Sequence, residues 1–327
     1  MSSPDLKEPL IRVENLKKSF STSSTSFFKK NEVRAVNDVS FEIYEGETFG
    51  IVGESGCGKS TTGRTLLRLT EPSGGKVFYN NQNIFELKEK QFRNIRQDLQ
   101  MIFQDPFASL DPKKRIGYSL EESMIIQKIG TKQERKERVM ELLEKVGFSK
   151  DHYDKFPHEF SGGQRQRIGI ARALVLNPKF IVCDEPVSAL DVSIQSQILN
   201  LLKQLQRDLG LSYLFIGHDL SVVRYIADRI GVMYLGEMVE TAPTDKLFAK
   251  PLHPYTQSLL SAVPVPDPDF KKERIILKGD VPSPMNIPTG CVFHTRCPMA
   301  MERCKTEVPA MIHVDAEHQV QCHLYDN

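Results

Sequence analysis

The run Gly53-Glu54-Ser55-Gly56-Cys57-Gly58-Lys59-Ser60 has the residue types and spacing of a phosphate-binding loop. The glycines let the backbone curl so that successive N–H groups point inward, and a helix starting after them adds the partial positive charge of its N-terminus. Lys59 is then expected to reach the β- and γ-phosphates of a nucleotide and the Ser60 hydroxyl to ligate Mg²⁺, with Ser55, Gly56, Cys57, Gly58 and Thr61 completing the cradle. Cys57 lies beside both the helix N-terminus and Lys59, which lower a thiol pKa. The expectation is a reactive thiol that bound nucleotide protects from alkylation.

Two further strand ends carry polar groups. Phe180-Ile181-Val182-Cys183-Asp184 is apolar until it closes on a carboxylate, and Glu185 follows at once. Asp184 would hold Mg²⁺ through water, and Glu185 would polarise the water that attacks a γ-phosphate; taken alone, the pair reads equally as an acidic turn after a buried strand. Ser212-Tyr213-Leu214-Phe215-Ile216-Gly217 brings His218 and Asp219 to its end. His218 would touch the γ-phosphate or orient Glu185, although a lone histidine is more often a surface residue. Three strand ends with polar groups fit the rule that open α/β sheets bind ligands at their carboxyl edge. A second glycine- and serine-rich run, Phe160-Ser161-Gly162-Gly163-Gln164, lies far from the first and implies a nucleotide held from two sides, as in a sandwich dimer.

The elements that must position these groups are legible as buried runs. Glu47-Thr48-Phe49-Gly50-Ile51-Val52 reads as the strand leading into the loop, and a helix-compatible stretch continues to Leu69. At 327 residues the chain has room for one large core or two modest ones. With 43 Lys and Arg against 42 Asp and Glu, no global basic field draws it to nucleic acid. No apolar run reaches the roughly 18 residues of a membrane span, and Met1-Ser2-Ser3-Pro4-Asp5 lacks the regions of a secretory signal, so a soluble cytoplasmic chain is expected. The cysteines do not suggest a disulfide framework. Cys291, Cys297, Cys304 and Cys322 instead crowd into the tail with four of the eight histidines.

In this order, these motifs resemble the nucleotide-binding subunits of ATP-binding-cassette transporters, over about residues 10 to 245. The resemblance rests on the phosphate loop, Met101-Ile102-Phe103-Gln104, Ser161 to Gln164, Asp184-Glu185, Ser188-Ala189-Leu190-Asp191 and His218. It implies an α/β P-loop cassette with a RecA-like core, a β subdomain and a helical subdomain, hydrolysing ATP with Mg²⁺. Carried over residue by residue, it makes Glu185 the general base, gives Gln104 a contact to Mg²⁺ or the lytic water, has Ser161, Gly162, Gly163 and Gln164 cap the ATP of the other subunit, and puts Asp191 at the dimer seam. Phe160 stands where leucine is usual. Phe20 is the expected adenine platform, with Phe27 and Phe28 as alternatives.

Gln104-Asp105-Pro106-Phe107-Ala108-Ser109-Leu110-Asp111-Pro112, His253-Pro254-Tyr255-Thr256 and the cysteine-rich tail narrow the resemblance to the oligopeptide and dipeptide importer ATPases. That implies residues 1–250 as the cassette, with its helical subdomain at about 105–165, and 251–327 as an irregular extension. It also implies a paralogous ATPase subunit, two permeases and an extracytoplasmic binding protein as partners, no nucleic acid, and a place on the cytoplasmic face of the cell membrane. A nickel or other small-solute importer is the alternative, and a soluble cassette ATPase acting on ribosomes or DNA a more distant one. The C-x₅-C-x₆-C-x₁₇-C spacing does not match the short pairs of structural zinc. A [4Fe-4S] cluster, which some members of the subfamily carry here, is favoured over zinc or unliganded thiols, with the role of tying down an appendage that lacks a core of its own.

Overall fold

The computed structural model describes residues 8–22, 31–105, 110–263 and 274–326. They fall into two compact units, residues 1–86 with 216–327, and residues 87–215.

The first unit opens with β1 (Ile11–Thr22) and β2 (Asn31–Ile43), paired antiparallel with Ile11 opposite Ile43. In β1 the alternation buries Ile11 and Val13, then jumps to Leu16, because a bulge around Asn15 (φ 48°) inserts a residue and resets which face points inward. After β3 (Thr48–Val52) and α1 (Lys59–Leu66) come β4 (Gly74–Tyr79) and β5 (Gln82–Asn83), which complete a sheet ordered β2-β1-β4-β5. Helix α1 stops short of Leu69 because Arg68 is left-handed, at φ 51°.

The second unit contains α2 (Glu89–Ile95), β6 (Leu99–Ile102), α3 (Ile116–Gln127), α4 (Lys132–Lys145), α5 (Gly162–Leu174), β7 (Phe180–Asp184), α6 (Val192–Leu209) and β8 (Ser212–Ile216). Strands β6 and β7 run parallel, with Ile102 opposite Cys183. Both β7 and β8 are buried throughout, as expected of parallel strands covered on two faces. The helical part has its own core of Leu120, Val139, Leu142, Leu143, Phe148 and Phe160, the last two meeting edge to face at 5.6 Å. Phe160 is therefore a core residue, so its size matters more than its identity at that position.

The chain returns to the first unit with α7 (Leu220–Ile226), β9 (Arg229–Tyr234), β10 (Glu237–Pro243), α8 (Thr244–Ala249) and α9 (Pro254–Ser261), and ends with β11 (Met311–His313) and β12 (Gln319–Gln321). The order is β11-β12-β10-β9-β3, with β3 parallel to β9 and the rest antiparallel. Leu235 and Gly236, both at positive φ, make the two-residue turn between β9 and β10. The C-terminal segment thus extends the sheet of the first unit, with Val320 opposite Glu240.

Candidate functional site

In the first unit the phosphate loop leaves β3 and ends where α1 begins at Lys59. Gly53 and Gly58 sit at φ 154° and 105°, and a Cβ on either would overlap the carbonyl oxygen of Met233 or Ala35 respectively. Only glycine fits both positions. Lys59 is buried, its Nζ donating to the carbonyl oxygens of Gly53 (2.8 Å) and Glu54 (3.0 Å), which holds the loop curled over the amine. Ser60 and Thr61 are half-buried in the first turn of α1, while Ser55 and Gly56 are exposed at the mouth. The Gly217 N–H donates to the Ile51 carbonyl at 3.1 Å, so exposed His218 follows a segment tied to β3. The Tyr255 hydroxyl on α9 accepts the Glu54 N–H at 2.8 Å, a contact invisible in a sequence where the two residues lie so far apart. Phe20 is exposed near the end of β1, with Lys18 Nζ 4.7 Å from its ring centroid. Phe27 and Phe28 lie outside the described residues.

Cys57 departs from expectation. It is buried, and that burial pushes its thiol pKa up despite Lys59 Nζ at 3.8 Å. Desolvation of a thiolate outweighs one nearby cation, so the lowered thiol pKa expected from the sequence is corrected to a raised one.

In the second unit Asp184 is fully buried at the end of β7. Glu185 follows in the left-handed region (φ 45°), a conformation that costs a non-glycine residue on the order of 1 kcal/mol and re-aims its side chain. Its Oε2 accepts from Gln104 Nε2 at 3.0 Å. The parallel pairing of β6 and β7 brings these two residues, 81 positions apart, to adjacent strand ends. The Ser188 N–H and hydroxyl both donate to the Glu185 carbonyl, and Gln195 Nε2 on α6 donates to the Val187 and Leu190 carbonyls at 3.0 Å each. Gln195 carries no sequence signal, being one glutamine among several on a helix. Asp191 takes the N-cap position of α6 without a capping hydrogen bond from its side chain, and is exposed.

Ser161 caps α5 reciprocally with Gln164: the Ser161 N–H donates to Gln164 Oε1 at 2.9 Å, and the Gln164 N–H donates to Ser161 Oγ at 3.4 Å. Gly162 has room for a side chain, whereas a Cβ on Gly163 would lie 2.5 Å from Ile194 Cγ2. Gly163 is therefore already required by the packing of α5 on α6. The helix start at Ser161 stays solvent-accessible.

The family model described as ABC transporter matches residues 36–188, and that of the oligopeptide/dipeptide transporter C-terminal region matches 239–304. The chain is 53% identical over 323 residues to the oligopeptide transport ATP-binding protein AppF of Bacillus subtilis (strain 168), covering 98% of each. The chain belongs to the ABC transporter family. It is an ATPase of that family. The oligopeptide transport ATP-binding protein OppF of the same organism is 55% identical over 277 residues, 84% of this chain and 89% of that protein. Among solved structures, the ATP-binding cassette MJ0796 bound to ADP and Pi in a post-hydrolysis dimer aligns with TM-score 0.63 and 30% identity, over 72% of this chain and 98% of that one.

The ABC ATPase carries its four tail cysteines in the irregular segment after α9. Cys304 and Cys322 are buried, and Cys291 and Cys297 half-buried. The Cys304 sulfur accepts the Met301 N–H at 3.4 Å. Burial, reinforced by the neighbouring thiols, pushes Cys291 and Cys322 up to about 11. This donor chemistry suits a soft metal centre, yet among the described residues no group of three or more His, Cys, Asp or Glu is disposed to hold a metal ion. The tail, expected to lack a core of its own, has one. Phe293 is fully buried against Tyr234, Tyr255 and His253 at 5.2, 5.4 and 5.4 Å, and Val320 and Cys322 pack with Leu252. His318 Nε2 meets the fully buried Glu240 Oε1 at 2.7 Å, tying the strand region of the tail to β10. Among the described residues no helix is long and apolar enough to cross a membrane.

Proposed function

We propose that this ABC ATPase energises the import of peptides through a membrane transporter, paired with a paralogous ATPase subunit, seated on two permeases at the cytoplasmic face, and supplied by an extracytoplasmic binding protein. The match of residues 239–304 to the oligopeptide/dipeptide transporter C-terminal region, behind a cassette at 36–188, carries this reading. On it, residues 1–250 form the cassette with a helical subdomain at about 105–165, and 251–327 form the extension.

In the chemistry we assign, the loop from Gly53 to Thr61 cradles the phosphates, Lys59 exchanges its two carbonyl partners for phosphate oxygens, and Phe20 supports the adenine. Mg²⁺, for which the oxygen donors of Ser60, Gln104 and buried Asp184 are chemically suited, would neutralise charge on the phosphates. Glu185 takes the proton of the attacking water, and Gln104, bonded to it at 3.0 Å, sets its direction. His218 monitors the γ-phosphate. Ser161, Gly162, Gly163 and Gln164 present an exposed helix N-terminus to the ATP of the paralogous subunit, and Asp191 lies at the seam. Cys291, Cys297, Cys304 and Cys322 are the residues a [4Fe-4S] cluster would use, with zinc the poorer fit. Their thiol donor set is the ground for that choice, and iron and sulfide analysis of anaerobically purified protein tests it.

Reconstitution with the cognate permeases and binding protein tests the whole reading. Glu185→Gln should lower ATP hydrolysis by about 10²- to 10⁴-fold and abolish uptake of labelled peptide while leaving ATP binding in place. Peptide uptake that persists in this variant, or uptake of nickel and not peptide by the wild type, would overturn it.

A further inference from the structure

The phosphate loop is gripped from outside by the tail. Arg296, one residue before Cys297, places its guanidinium on the carboxylate of Glu54 in a two-pronged pair, Nη1 to Oε2 at 2.8 Å and Nη2 to Oε1 at 3.1 Å. The arginine side chain is 9% exposed and the glutamate 28%. Arg296 Nη1 also reaches the Tyr234 hydroxyl at 3.5 Å, and beneath it Tyr234, Tyr255 and Phe293 form one aromatic cluster. Glu54 is thereby fixed at all three of its polar points: its N–H by Tyr255, its carbonyl by Lys59 and its carboxylate by Arg296. Two of those three partners come from the segment after residue 250.

We propose that Arg296 is a positioning residue for the phosphate loop, holding Glu54 so that the cradle is formed before a nucleotide arrives. A planar guanidinium opposite a carboxylate fixes direction as well as distance, which a lysine ammonium does not. Arg296 Nε is buried with no partner among the described residues, a destabilising feature that a residue serving only to fill the tail's core would not need. A loop held in its bound shape spares the nucleotide the entropy of ordering it, so the effect falls on affinity and not on the chemical step. The consequence is that the cysteine-rich tail, through the residue next to Cys297, sets how tightly this cassette holds its nucleotide.

The inference rests on the loop being the nucleotide site, and the test separates the two. The full chain is titrated with a fluorescent ATP analogue as wild type, Lys59→Ala, Arg296→Ala, Arg296→Lys, Glu54→Gln and the double variant Glu54→Gln/Arg296→Ala, with steady-state ATPase kinetics alongside. Arg296→Ala and Glu54→Gln should each weaken binding about tenfold, with kcat at saturating ATP little changed in Arg296→Ala, the double variant no weaker than either single one, and Arg296→Lys in between. Should Arg296→Ala fail to fold, Glu54→Gln and Arg296→Lys carry the same test. Unchanged Kd in both single variants while Lys59→Ala loses binding overturns the clamp alone. Effects that add in the double variant, or a fall in kcat with Kd intact, also overturn it. A wild type that binds no better than Lys59→Ala overturns the nucleotide site and the clamp together.

Discussion

His253 gives a pH test of how the tail region is built. It sits at the N-cap of α9, 1% exposed, where its Nδ1 accepts the Tyr255 N–H at 3.1 Å while its backbone N–H donates to Glu240 Oε2 at 2.9 Å. Burial pushes the imidazole pKa down from 6.5 to about 3, and protonation at Nδ1 would also remove the acceptor that caps the helix. Because the folded value lies below the unfolded one, the unfolded chain binds the proton first as pH falls. This contribution is whole above pH 6.5 and is lost progressively towards about 3. The loss runs at about 1.4 kcal/mol per pH unit, so about 2 kcal/mol is gone by pH 5. For a chain of this size that is a fall of about 3 °C in melting temperature. The assay is thermal unfolding of wild type and His253→Asn at pH 7.5 and 5.0, asparagine keeping an oxygen to cap the helix. The variant should start lower, from the space it leaves, but drop about 3 °C less than wild type on acidification. An equal drop in both proteins would show that the imidazole is not held neutral by burial.

Gly163→Ala should destabilise by about 1 to 3 kcal/mol through its clash with Ile194, and Ile194→Ala in the same chain should recover part of that; denaturant unfolding of the two variants and their double measures it. Cys57 should react with iodoacetamide at pH 7 at least about tenfold more slowly than glutathione, because its thiol is buried and its pKa raised; labelling as fast as glutathione would contradict the placement of the side chain. Glu237 accepts from Asn37 Nδ2 at 2.7 Å, and burial raises its carboxyl pKa. Its folded value is above the unfolded one, so the associated stability is present at low pH and lost as pH rises through the folded value. Glu237→Gln keeps the Asn37 bond and should melt higher than wild type at pH 7.5 but alike at pH 4, as followed by circular dichroism.

The sequence alone determined the chemistry and the elements that carry it. Gly53 to Ser60 after a buried strand, Asp184 and Glu185 at the end of another, and Ser161 to Gln164 at a helix start are local patterns, and local backbone preferences and apolar runs suffice to place each of them. What neighbouring elements impose was out of reach. Cys57 looked reactive because its sequence neighbours are a cation and a helix N-terminus, and only the surrounding structure brings the burial that outweighs Lys59 and raises the thiol pKa. That Gly163 also lies tight against Ile194 showed only in the tertiary structure. The tail read as an irregular appendage without a core, but Phe293 borrows Tyr234 and Tyr255, and β12 borrows the edge of β10. Pairs such as Gln104 with Glu185 and Glu54 with Arg296 lie 81 and 242 positions apart. Such distances along the chain carry no periodic or compositional trace, so strand register and packing of the tail on the cassette, set by burial summed over many residues, decide which side chains meet.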